Sequence, residues 1–134
     1  MILVDTSVWI DFFDHPHSPH AKELKRLIEA DADICLIDIN LTEILQGIKD
    51  EKMFDLVKSY LTKFPIIRTI NLDIFIQAAN IYRACRRKGK TVSTTVDGII
   101  AAVAIENSLL LFHKDKDFDS IAACTSLKIH KMTD

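Results

Sequence analysis

Short apolar runs alternate along this chain with longer stretches whose apolar residues recur at helical spacing, the pattern of an α/β fold with a parallel sheet. Ile2–Val4 reads as a first, central strand, followed at once by a helical turn through Trp9 and Phe13. Two prolines within four residues, Pro16 and Pro19, place a loop over 15–20. A helix is expected over 20–30, with Leu24, Leu27 and Ile28 on one face. Ile34–Ile37 is a second strand, followed by helices over 41–48 and 52–63. Pro65 opens a third strand through Ile66, Ile67 and Ile70. Ile74, Ala78, Ile81 and Cys85 mark a long helix over 72–88, for which Gly89 is the expected C-terminal stop. The stretch 96–106 is apolar almost all round, so that helix is expected to be buried. A fourth strand over 109–112, a short helix over 118–123 and a fifth strand over 127–129 complete the series. With no repeat, linker or low-complexity segment, the expectation is one domain over 1–134.

Composition narrows the function classes. The longest apolar run, 99–105, is far shorter than the roughly 20 residues needed to cross a bilayer. The chain opens directly into Ile2-Leu3-Val4 with no basic segment ahead of it, which reads as a strand and not as a signal peptide, so a cytoplasmic location is expected. Three widely spaced cysteines, Cys35, Cys85 and Cys124, form neither a disulfide framework nor a zinc ribbon and read as small buried apolar groups. The three glycines, Gly47, Gly89 and Gly98, cannot build a phosphate-cradling glycine loop. A net charge of −2 means that any polyanion must be held by a local basic patch or through a cation.

Four acidic residues occupy telling places. Asp5 follows the first strand directly, and Asp115 follows the fourth within a few residues. In a parallel sheet these strand ends open on one edge, where ligand crevices form. Glu43 is expected in the first turn of the helix after the second strand, and Asp97 begins the most apolar helix. Each has a bland reading as a helix cap; Glu43, three residues after Asn40, even approaches a capping box. Together that reading weakens, because two carboxylates about 5 Å apart repel by roughly 3 kcal/mol at an effective dielectric of about 20. Oxygen-only ligands suit a hard divalent ion such as Mg²⁺ or Mn²⁺. Such an ion supports phosphodiester hydrolysis, with a carboxylate such as Glu43 orienting or deprotonating the attacking water.

These residues carry a resemblance. Asp5-Thr6-Ser7-Val8-Trp9-Ile10-Asp11 resembles the opening signature of PIN domains of the VapC toxin type. Thr42-Glu43-Ile44-Leu45-Gln46-Gly47, Thr95-Val96-Asp97-Gly98-Ile99-Ile100-Ala101-Ala102 and His113-Lys114-Asp115-Lys116-Asp117-Phe118-Asp119 resemble its second, third and fourth motifs. Each is short, but the four occur in the family's order and spacing over nearly the whole chain. The resemblance implies a three-layer α/β/α sandwich around a five-stranded parallel sheet and an RNA-cleaving toxin. It implies a Mg²⁺ or Mn²⁺ site of Asp5, Glu43, Asp97 and Asp115, with Asp117 adjacent or as the alternative fourth ligand. Thr6, Ser7 and Thr95 are the implied helpers. A homodimer is implied too, as is a VapB-like antitoxin whose C-terminal tail enters the active groove with a basic side chain.

Two other designs compete. A catalytically silent scaffold has no need of mutually repelling Asp5, Glu43 and Asp97. A receiver-like phosphoacceptor wants adjacent acidic residues after the first strand and an Asp after the third, where this chain has Thr6 and Thr69 or Asn71. His15, His17 and His20 lie in a proline-broken loop without preset metal geometry, and His113 reads as packing beside the site. Trp9, Phe12 and Phe13 read as core or dimer surface.

Arg83, Arg86, Arg87, Lys88 and Lys90 cluster near the end of the long helix. They serve either as favourable charge at a helix C-terminus or as a track for RNA phosphates. Neutralising three of them is expected to flatten the salt dependence of RNA binding, measured as log Kd against log salt. An unchanged slope would make the patch solvated surface.

Overall fold

The computed structural model describes residues 1–92 and 94–132. Five strands, β1 (Ile2–Val4), β2 (Ile34–Ile37), β3 (Ile66–Ile67), β4 (Leu110–Phe112) and β5 (Lys128–Ile129), form one sheet in the order β3-β2-β1-β4-β5. Every pairing is parallel, with Leu3 opposite Cys35 on one side and Leu111 on the other. The helices are α1 (Thr6–Asp14), α2 (Pro19–Glu29), α3 (Asp38–Leu45), α4 (Glu51–Leu61), α5 (Leu72–Arg87), α6 (Thr95–Glu106) and α7 (Lys116–Cys124). None is long and apolar enough to cross a membrane.

Strand residues alternate between two cores. Val4, Ile34, Leu36 and Phe112 point to α1–α4, while Leu3, Cys35, Ile37 and Leu111 point to α5–α7. Because both faces are covered, the strands are apolar throughout instead of alternating with polar residues. The result is the expected three-layer sandwich. On the first face Trp9 is wholly buried and packs against Phe12, Phe13, Tyr60 and Phe64. On the second, α5 and α6 approach so closely that a Cβ on Gly98 would lie 3.4 Å from the Ala78 carbonyl oxygen. Cys35 and Cys85 are buried in this core and Cys124 packs against it, all three as free thiols.

Several boundaries differ from the sequence reading. Helix α2 starts at Pro19, with Ser18 accepting from the Ala21 N–H as its cap. Helix α3 starts at Asp38 directly after β2, so Glu43 lies in its second turn and not its first. Asn40 is buried in the first turn of α3, where its Oδ1 accepts from the Ile37 N–H at 3.0 Å. The third strand ends at Ile67, and Ile70 is 86% exposed. Here Thr69 turns away to donate its N–H and its hydroxyl to Asp38, each at 2.8 Å. Gly89 does end α5, with φ +72° just beyond the cap residue Lys88.

Leu111 sits in β4 with no exposed surface. Leu111→Ala is expected to lower unfolding free energy by about 2–5 kcal/mol, read from urea denaturation.

Candidate metal centre

The strand order reverses at β1. The chain winds outward through β2 and β3, then crosses back to place β4 on the other side of β1. Connections leave β1 and β4 in opposite directions, which opens a crevice at their carboxyl ends. Asp5 and Asp115 occupy the segments leaving those two strands. Each caps the helix it precedes: Asp5 accepts from the Ser7 N–H at 3.1 Å, and Asp115 from the Asp117 N–H at 3.0 Å. The cap reading is therefore correct for both, and it leaves further oxygen lone pairs for other work. Asp97 is not the cap of α6; Thr94 is, accepting from the Asp97 N–H at 3.1 Å.

Asp97, Asp115 and Asp117 each offer a carboxylate oxygen within 4.8 Å of the others, the grouping among the described residues with ligand atoms close enough for one ion. Asp97 is only 9% exposed. Burial raises its pKa, helped by the charges of Asp115, Asp5 and Asp117, to about 6. Asp5 is also raised, mainly by burial, against hydrogen bonds from Ser7, whose hydroxyl is 2.6 Å away. Glu43 is raised by burial and, more weakly, by Asp5. Asp97 and Glu43 are thus each harder to ionise beside a neighbouring carboxylate. Oxygen ligands, high local charge and partial burial match what a hard divalent ion requires.

Hydroxyls orient this set. Thr6 donates to Glu43 Oε1 at 2.8 Å and accepts from Asn40 Nδ2 at 3.0 Å. Thr6 and Ser7, both singled out in the sequence, therefore contact Glu43 and Asp5 respectively. The hydroxyl that accepts from the Asp97 N–H is that of Thr94, and Thr94 and Thr95 both line a cleft beside α5 and α6. Asn40 was legible only as a potential cap; its second role, holding Thr6, links residues 34 apart in sequence and left no local signal. His113 packs on Phe118, accepts from the Asp115 N–H through Nδ1 at 3.0 Å, and pairs with Asp119 through Nε2 at 3.1 Å. It shapes the loop that carries Asp115. His20 stacks on Phe112. Arg83, Arg86, Arg87, Lys88 and Lys90 are all exposed at the end of α5, and Arg86 lies over the Tyr82 ring.

A doubly wound parallel sheet with carboxylates gathered at its switch point defines a class of α/β protein suited to holding a hard cation at the sheet edge. Residues 2–123 match the PIN domain family model, and the chain belongs to that family. It is 38% identical to Ribonuclease VapC11 of Mycobacterium tuberculosis over 129 residues, 96% of each chain. It is similar to a toxin-antitoxin complex from Klebsiella pneumoniae, with TM-score 0.71 and 25% identity over 96% of this chain and 100% of that one. VapBC2 from Rickettsia felis, bound to a DNA fragment from its promoter, gives TM-score 0.76 over 97% and 98% of the two chains. At 17% identity that likeness is one of fold.

The raised pKa of Asp97 has a consequence for stability. Between its ordinary value near 3.8 and its folded value of about 6, the folded state holds a proton that the unfolded state has lost. Asp97 therefore makes stability fall as pH rises through that window. In urea titrations with EDTA, Asp97→Asn is expected to be at least as stable as wild type at pH 7, with the advantage shrinking towards pH 4. A variant less stable than wild type at pH 7 would contradict this.

Proposed function

We propose that the chain, as one PIN domain over residues 1–134, is a Mg²⁺- or Mn²⁺-dependent endoribonuclease. In this reading it is the toxin of a type II toxin–antitoxin pair, working in the cytoplasm. The observation that carries the reading is the convergence of Asp97, Asp115 and Asp117 within 4.8 Å, with Asp5 and Glu43 in electrostatic contact at the same sheet edge. The near full-length similarity to a VapC ribonuclease supports it.

Asp5, Asp97 and Asp115 would hold the ion, with Glu43 and Asp117 completing the set. The ion supplies Lewis-acid polarisation of the scissile phosphate and activation of water. Glu43 is the proton acceptor for the attacking water: its pKa is raised, and Thr6 fixes the orientation of its carboxylate. Ser7 keeps Asp5 aimed into the crevice. Arg83, Arg86, Arg87, Lys88 and Lys90 hold flanking RNA phosphates, so the acidic centre need not attract the polyanion by itself.

A groove of about 760 Å³ runs between α1, α3 and α4 from Phe12, Phe13 and Met53 to Glu43. Its apolar wall and carboxylate end suit the tail of a VapB-like antitoxin that packs apolar side chains and sets a basic one beside the site. Ile70, Leu72, Phe75 and Ile76 are exposed at the start of α5, and this apolar face is assigned to homodimer formation.

The test is cleavage of single-stranded RNA by metal-free protein before and after adding Mg²⁺ or Mn²⁺. Cleavage is expected only with the ion. Asp97→Asn should abolish it, and Glu43→Gln should lower kcat by about 100-fold or more. RNA binding without cleavage under every metal condition would favour the silent scaffold.

A further inference from the structure

Two buried carboxylates lie outside the acidic cluster: Glu23, which pairs with Arg26 and His130, and Asp11. Asp11, in the second turn of α1, has a side chain only 4% exposed. A buried charge of this kind persists only with a well-placed partner. That partner is Lys114, whose Nζ lies 3.1 Å from Asp11 Oδ1 and 2.9 Å from Oδ2. Burial pushes the pKa of Asp11 upward, but hydrogen bonds from Lys114 and Ser18 outweigh it and hold the group below its ordinary value. The pair joins positions 103 residues apart.

Lys114 immediately precedes Asp115 and is tied down twice. Besides its side-chain bond to Asp11, its backbone N–H donates to Ser7 Oγ at 3.1 Å, and that hydroxyl donates to Asp5 Oδ2 at 2.6 Å. The Asp5 N–H in turn donates to the Phe112 carbonyl at 2.9 Å. The start of α1 and the loop leaving β4 are thus stitched together, with Asp5 at one side of the seam and Asp115 at the other.

We infer that Asp11 and Lys114 form a latch that positions the carboxylates of Asp5 and Asp115 for a divalent ion. The inference rests on the metal reading above. Both are positioning residues, since neither contacts the ion in this scheme.

Mn²⁺ affinity, measured by calorimetry on the full-length protein, separates this role from simple stabilisation. Asp11→Asn and Lys114→Ala are each expected to weaken Mn²⁺ binding about tenfold or more. Lys114→Arg, which can still grip both oxygens of Asp11, should stay close to wild type. The double variant Asp11→Asn/Lys114→Ala leaves no buried unpaired charge, so it keeps the test open should a single variant unfold. It should bind no more weakly than Lys114→Ala alone, as for two residues of one unit. Wild-type Mn²⁺ affinity in the variants, with only the melting temperature lowered, would make the pair a plain structural tie and overturn the latch. Failure of the wild type itself to bind Mn²⁺ would overturn the metal reading and the latch together.

Discussion

Like charges confined at the mouth of a parallel sheet are the constraint from which the rest of this structure follows. The topology brings Asp5 and Asp115 to adjacent strand ends, and the most apolar helix delivers Asp97 beside them. Burial makes Asp5 and Asp97 harder to ionise, and the neighbouring carboxylates add to the effect at Asp97. A fold that tolerates such an arrangement needs either protons or a cation to balance it. At neutral pH the cation is the more effective counter-charge, since a pKa of about 6 for Asp97 leaves it mostly ionised.

The surrounding polar contacts make sense as answers to that repulsion. Ser7 grips Asp5, Thr6 and Asn40 brace Glu43, and Asp115 spends one oxygen on the first turn of α7. Each contact fixes a side chain that would otherwise rotate away from its neighbours. The Asp11–Lys114 pair does the same for backbone segments. It also holds the Lys114 ammonium on Asp11. Elsewhere an exposed basic cluster stands at the end of α5, and in the proposed reading it is this cluster, not the crevice, that meets the RNA phosphates.

The fold was legible wherever a single period governed a stretch. Strands β1, β2 and β4 stood out because both of their faces are buried, and α6 because its whole circumference is. The β2–α3 junction did not, since strand and helix meet there without glycine or proline and the stop is supplied by the buried Asn40 side chain. Ile70 looked like strand because it is apolar, yet the Asp38–Thr69 bonds pull the chain out of the sheet before it. At the site, the positions of Asp5, Asp97 and Asp115 could be argued from strand and helix ends alone. The helpers could be argued only partly: Thr6 and Ser7 neighbour Asp5 in sequence, whereas Thr94 took the place expected of Thr95, and Lys114 and Asp11 meet only in three dimensions.

The most direct measurement of the central claim is anomalous scattering from a crystal of the protein soaked in Mn²⁺. The account predicts a strong peak in the crevice among Asp5, Asp97 and Asp115, lost in crystals of Asp97→Asn. A Mn²⁺-soaked crystal with no peak there, or with Mn²⁺ bound only on another face, would contradict it.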